Sequence, residues 1–339
     1  MSYSLRQKLG AIAYDLPRYL WSMRPSPGHP WVRIRNRDEH LVQSEDGTGV
    51  ECKWEWTSDL HIAKVFPSLG RRLMKRALED WPIDFFFKPH RGHEPVQFSF
   101  IIGHRGADRL PHLLLTLQSI AAQSDVSVEC IVVEQSTRPE VRRHLPTWVR
   151  YVHTPLPHED MPYSRAWAFN VGAREARGEV LILHDGDILV PREYGSQLRP
   201  LFGEGYEVVN LKRFIFFLPE ANWAACFVER MLDRAPESIM QNSLGGSLAI
   251  TRAAYFEIGG FDESFVGWGG EDNEFWMRAR TRPVWPYGHL PMVHLWHPMQ
   301  PDKIGDERAT AKLFETRSQI PAEQRIRELT SRDFGRQTN

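Results

Sequence analysis

The sequence predicts an α/β protein with a mostly parallel central sheet flanked by helices, preceded by an N-terminal extension. Two observations carry this. From Val96 onward, short apolar runs alternate with helical patterns, which implies parallel strands with helices on both faces. One of those runs, Val180–Leu183, contains no polar residue, as a strand covered on both faces requires.

The elements follow in order. Phe98–Ile102 is a short apolar strand, and Leu110–Gln123 is a helix. Val128–Val133, rich in β-branched residues, is the second strand and Val149–His153 the third. Ser164–Arg177 is a helix ending at Gly178, and Val180–Leu183 is the fourth strand. Residues 1–95 have another texture. Leu5, Leu9, Ile12 and Leu16 recur at helical spacing, with Pro17 ending the pattern. A stretch rich in Pro, Trp and Arg (Pro25–Arg37), a polar turn (Glu45–Gly49), a helical pattern (Leu69–Leu78) and a linker (His90–Pro95) come next. No chemical motif stands among them. The first helix is expected to pack on the main domain, and the competing reading is peripheral contact with a membrane surface. The chain thus divides into an extension over 1–95, a main domain over 96–300, and a lid with a helical tail over 301–339.

Composition excludes several classes. The 339 residues suffice for one large domain with an appendage, or two domains. A formal net charge of -1 gives no global attraction for a polyanion, so nucleic acid is not an expected partner. Cys52, Cys130 and Cys226 are sparse, lack metal-ligand spacing and fit a reducing, cytoplasmic location rather than a disulfide framework. No apolar run reaches the roughly 18 residues of a membrane span. The longest, Phe214–Val228, is broken by Pro219, Glu220 and Asn222. Arg6 and Lys8 are not followed by an apolar core and a cleavage site, so no secretory leader is expected.

In such sheets ligands gather beyond the carboxyl ends of the strands. After the fourth strand stands His184-Asp185-Gly186-Asp187. Two carboxylates one residue apart can share a hard divalent cation that takes its other ligands from water and substrate phosphates; Asp-Gly is also a common turn dipeptide. After the first strand, Gly103 to Arg109 offers a glycine and two arginines for close approach to a base and diphosphate, or else a solvated basic loop. It is neither the dinucleotide fingerprint nor a P-loop. Ser164-Arg165 opens a helix, a good anion site or a plain N-cap. The glycine pairs Gly245-Gly246, Gly259-Gly260 and Gly269-Gly270 are costly in backbone entropy and suit backbone passing close to a ligand. Trp268 offers a flat face for a sugar ring, and Glu271 and Asp272 begin a helix whose dipole they also favour. His294 and His297, three apart, can add a metal ligand if their segment turns rather than extends.

Over residues 98 to 300 the sequence resembles the galactosyltransferase-type GT-A glycosyltransferases: the beta-1,4-galactosyltransferases and, in their second half, the polypeptide N-acetylgalactosaminyltransferases and bacterial polysaccharide glycosyltransferases. The resemblance rests on Ile101-Ile102-Gly103-His104-Arg105, on Tyr163-Ser164-Arg165-Ala166 with Asn170-Val171-Gly172, and on Asp185-Gly186-Asp187. Gly245-Gly246 and Gly259-Gly260-Phe261 follow, then Gly267-Trp268-Gly269-Gly270-Glu271-Asp272. It implies a GT-A fold, Rossmann-like, with 96–300 as the catalytic domain. It implies donor-binding roles for Gly103, Arg105, Arg165, Asp185 and Gly246. Asp187 takes the position that binds Mn2+ (or Mg2+), joined by His294 or His297. Trp268, Gly270 and Glu271 face the acceptor, and Asp272 is the base, with Glu271 or Asp262 next in line. Two departures stand out: Asn273 where many galactosyltransferases carry a third acid, and Gly103-His104 where many have Pro-Phe.

The implied activity is metal-dependent, inverting transfer of a hexose or N-acetylhexosamine from a UDP-sugar to a carbohydrate hydroxyl of a glycan or glycoconjugate. A sugar-nucleotide pyrophosphorylase-like nucleotidyltransferase would use a similar sheet, but should place a Gly-rich loop with a cation directly after the first strand. A non-catalytic glycan-binding protein would not need both Asp187 and Asp272.

Overall fold

The computed structural model describes residues 3–24, 28–54, 57–85, 95–224, 228–267, 269–298 and 307–336. The four strands read from the sequence form the parallel side of a seven-stranded sheet. Its order is Val284–Trp285, Val208–Val209, Ser247–Thr251, Val180–His184, Phe98–His104, Val128–Ser136 and Val149–Pro155. Phe98–His104 lies between Val128–Ser136 and Val180–His184 and is parallel to both; Ser247–Thr251 runs antiparallel to Val180–His184. The chain therefore reverses its winding at Phe98–His104, and a crevice opens there at the carboxyl ends of the strands.

The inner strands of this sheet are buried on both faces. Phe100, Ile102, Val132 and Ile182 pack under the helix Leu110–Ala121 with Leu113 and Leu117. Ile101, Ile131, Leu181 and Leu183 face Phe169, Phe261 and Phe275 on the other side. The helix carrying Phe169 spans Arg165–Glu175, stopping before the expected Gly178, with Ser164 as its N-cap accepting from the Trp167 amide. Gly172 has no Cβ because Ile101 fills that space, which lets helix and strand approach closely.

A second sheet has no counterpart in the sequence reading. Its order is Ser58–Asp59, Ser238–Gln241, Lys212–Phe217, Leu290–His294 and Ile188–Leu189. The extension supplies its first strand, Ser58–Asp59, through pairing with Met240 and Gln241. The extension also shares a core with this sheet: Tyr19, Trp31, Val32, Leu60, Ile62 and Leu73 pack with Leu189, Phe214, Phe216, Val293 and Leu295.

At the N-terminus, Pro17 does not end the helix. Leu5–Gly10 continues through a wider π-helical turn, Ala11–Asp15, into Leu16–Ser22, where Pro17 sits in the first turn. The wider turn before it gives room for a ring that would clash with the carbonyl four residues back in a regular α-helix. Leu5–Gly10 buries no residue; the anchoring on the rest of the molecule is made by Ala11, Asp15 and Tyr19. No helix among the described residues is long and apolar enough to cross a membrane.

Candidate active site

The turn Asp185-Gly186-Asp187 is held rigidly at the carboxyl end of Val180–His184. The His184 Nε2 contacts the Ile188 carbonyl across the turn at 2.9 Å. Thr116 Oγ1 donates to the Gly186 carbonyl at 3.1 Å, and the Asp185 amide donates to the Gly246 carbonyl at 2.9 Å. Burial pushes the His184 imidazole down to about 4, so it stays neutral and structural.

Asp187 meets both candidate histidines. Its carboxylate lies 3.2 Å from His297 Nε2 and 3.7 Å from His294 Nε2. The three ligand atoms lie within 4.8 Å of one another. Strand pairing explains the first contact: His294 is in register with Ile188, and the Leu295 amide donates to the Asp187 carbonyl at 2.9 Å. Past His294 the strand ends, and the chain turns so that His297 reaches the same carboxylate. That turn is pinned at the Trp296 carbonyl, which accepts from the Trp223 indole at 2.6 Å and lies 2.9 Å from His112 Nε2. The His294 ring stacks on Phe217 with centroids 4.3 Å apart. Arg109 Nη1 lies 3.6 Å from Asp187. Burial alone would raise the Asp187 pKa; His294, His297 and Arg109 overcome this and hold it well below the usual carboxylate range.

Arg165 joins this end of the crevice to the other. Its guanidinium donates to Asp185 at 2.7 Å and to Asp272 at 2.5 Å, and lies 3.6 Å from Glu271. Burial raises Asp185 to about 6 against the pull of Arg165. The acidic helix, Glu271–Ala279, starts from Gly270 in a left-handed conformation (φ 86°). A side chain at Gly270 would also press on Phe265 and Phe314, each 3.0 Å away. Beneath it, the buried ion pairs of Glu274 with Arg278 and Arg325, at 2.6 and 2.7 Å, fix the helix in place. Trp268, expected to face the acceptor, lies outside the described residues.

Other expected residues have more specific structural reasons. Arg105 donates to the carbonyls of Gln135 (3.1 Å) and Met161 (2.6 Å), and so ties the first-strand loop to the segment before Arg165. Gly103 makes room for the Tyr163 hydroxyl and Ala168. A Cβ on Gly245 would sit 2.5 Å from Asp272 Oδ2. Gly246 takes a positive φ of 89° while its carbonyl caps the Asp185 turn. Asp262 is buried against Arg317 at 3.1 Å, away from a base's task.

Three contributors were not assigned roles from sequence. Lys212 is buried, donating to Asn210 Oδ1 (3.1 Å) and the Ser247 carbonyl. Burial pushes it down to about 8, although Asp272 and Asp185 favour its charge. A lysine opening an apolar strand was the available signal. Gln135 exchanges two hydrogen bonds with the Ser164 backbone, at 2.5 and 3.1 Å, and so sets Arg165. Asn170 holds the Gly260-Phe261 turn through the Phe261 amide and carbonyl, at 2.8 and 2.9 Å.

Glu271 gives a test of this electrostatic picture. Burial and the neighbouring Asp272 raise it to about 7, with Arg165 opposing. In the unfolded chain it ionises near 4.5, as an ordinary glutamate does. Between those values the folded state binds the extra proton, so this group's contribution to stability falls as pH rises through the window and stays low above it. Glu271→Gln is expected to raise stability at pH 8 by about 1–3 kcal/mol and to leave it unchanged near pH 4. Chemical denaturation of both proteins at the two pH values measures this.

Asp187, His294 and His297 could hold a metal ion, and Arg165 at a helix start links this group to an acidic helix at the switch point of a parallel sheet. Residues 234–284 match the family model described as the N-terminal domain of galactosyltransferase. The chain is 28% identical to human (Homo sapiens) beta-1,4-galactosyltransferase 3 over 141 residues, 39% of this chain and 31% of that protein. It is 22% identical to mouse (Mus musculus) beta-1,4-galactosyltransferase 5 over 252 residues, 60% and 58% of the two chains. The chain thus spans about a third of the length of the first of these relatives. Among solved structures, the catalytic domain of Drosophila beta1,4galactosyltransferase 7 in complex with xylobiose matches at 18% identity with a TM-score of 0.34, covering 61% and 68% of the two chains.

Proposed function

We propose that this protein is a metal-dependent, inverting glycosyltransferase that moves a hexose or N-acetylhexosamine from a UDP-sugar to a carbohydrate hydroxyl. The observation that carries it is Arg165, which reaches Asp185 at the strand end and Asp272 on the acidic helix at once. The leaving-group end and the base end of a displacement thus lie one side chain apart.

The residues at Asp187 fit a divalent cation. One carboxylate oxygen and two imidazole nitrogens within 4.8 Å are compatible donors. Two nitrogen ligands favour manganese over magnesium, which prefers oxygen throughout. A cation bound there would offset negative charge on the departing diphosphate. Arg165 is placed to stabilise the same charge. Asp272 accepts the proton of the attacking hydroxyl, and Glu271 holds the acceptor sugar by its hydroxyls. A single base acting in direct displacement inverts the anomeric centre.

Incubation with manganese and individual UDP-sugars, followed by UDP release, identifies the donor. The anomeric signal of the product with an acceptor series then reports inversion. No UDP release with any UDP-sugar would defeat the proposal; release of pyrophosphate from UTP and a sugar 1-phosphate would favour the pyrophosphorylase instead. Gly245→Ala tests the placement of Asp272. The added methyl must push the carboxylate aside, so turnover is expected to fall by on the order of 10-fold to 100-fold. The melting temperature should change by only a few degrees. Full turnover in this variant would show that the position of Asp272 is not critical.

A further inference from the structure

We propose that the N-terminal helix, residues 5–22, docks the protein on an anionic lipid surface. Six of the eight large apolar side chains exposed among the described residues lie within this one helix: Leu5, Leu9, Ile12, Tyr14, Leu20 and Trp21. Leu5 is 73% exposed and Leu9 56%. Leu5, Leu9 and Ile12, at i, i+4 and i+7, share one face. Isolated surface leucines are ordinary, but a contiguous apolar face is not.

This face belongs to an ordered helix with a fixed orientation. Ser4 and Gln7 form a reciprocal capping box, at 2.9 and 3.3 Å. Ala11, Asp15 and Tyr19, on another stripe, anchor the helix to the protein. Asp15 lies 3.1 Å from His61, and the Tyr19 hydroxyl donates to the Leu69 carbonyl at 2.8 Å. The face is therefore turned outward by the anchoring, not by fraying.

Charge identifies the occupant. Residues 3–14 contain Arg6 and Lys8 and no acid, and Arg24 adds a further exposed cation. Asp15, the sole acid of the helix, is buried. Apolar side chains flanked by cations, with Trp21 and Tyr14 as amphipathic rings, match an interface carrying anionic headgroups. The Arg37 guanidinium over the Tyr14 ring, 4.2 Å from its centroid, adds a cation at that edge. A symmetric contact with a second copy would instead bury Arg6 and Lys8 against a helix face that offers no acid.

Flotation of the full chain with phosphatidylcholine vesicles, with and without phosphatidylglycerol, tests this. Binding is expected to the anionic vesicles alone and to weaken with added salt. Leu9→Glu should lower the partition coefficient about tenfold or more, and Arg6→Gln and Lys8→Gln about fivefold each. Circular dichroism and donor hydrolysis should be unchanged. Should Leu9→Glu fail to fold, Leu5→Ser, further from the anchored half, gives the same reading. Failure of the wild-type chain to bind anionic vesicles would overturn the proposal, as would equal binding by the variants. So would sedimentation showing a dimer that Leu9→Glu splits, which would give this face to a second copy.

Discussion

Asp187→Ala is expected to weaken manganese-dependent binding of the UDP-sugar by about 100-fold or more, while the protein still folds. Asp187 is the carboxylate of the triad, and its removal leaves His294, His297 and Arg109 converging on a point without an anion. The turn itself does not depend on that carboxylate. His184, Thr116 and the Gly246 carbonyl hold it. Calorimetric titration of the donor in the presence and absence of manganese separates the two effects. Unchanged affinity would remove the metal assignment from this turn. His294→Ala and His297→Ala should each show a smaller loss of the same kind, because each would remove one of the three candidate ligand atoms.

Asp272→Asn is expected to slow transfer by on the order of 10²–10⁴ with donor and metal affinity intact. The amide oxygen can still accept from Arg165, and losing one acid from the first helical turn costs about 0.3–1 kcal/mol of stability. A carboxylate that merely favours the helix dipole would change the melting temperature and leave turnover alone. Glu271→Gln is the companion measurement: it should raise KM for the acceptor more than it lowers kcat. More than about a tenth of the normal rate in Asp272→Asn would place the base elsewhere. With Asp262 locked against Arg317, Glu271 is then the remaining candidate.

The parallel half of the fold was legible because strands buried on both faces are dominated by apolar residues: Val180–Leu183 is wholly apolar, and Val128–Val133 is so but for Glu129. The second sheet was not. Lys212–Phe217 opens with two cations, and Leu290–His294 contains Pro291 although it is an interior strand. Proline normally argues against such a position; here it pairs where the register shifts between Lys212 and Phe214. The chemical character of the site residues could be read from sequence, but not their company. Arg165 and Asp272 lie 107 residues apart. Neither spacing nor periodicity could say whether His294 or His297 approaches Asp187; tertiary folding brings both. Pro17 misled because the helix widens just before it.

The apolar cluster joining Tyr19, Trp31 and Leu73 to Phe214, Val293 and Leu295 has a thermodynamic consequence. The segment bearing the two histidines is backed by side chains from the first 95 residues of the chain. Those two regions form one cooperative unit, so heat or denaturant should melt them together in a single transition. Cutting the extension away would expose Phe214, Phe216 and Leu295 to water, and loosen the strand from which His294 projects before it disturbed the parallel sheet.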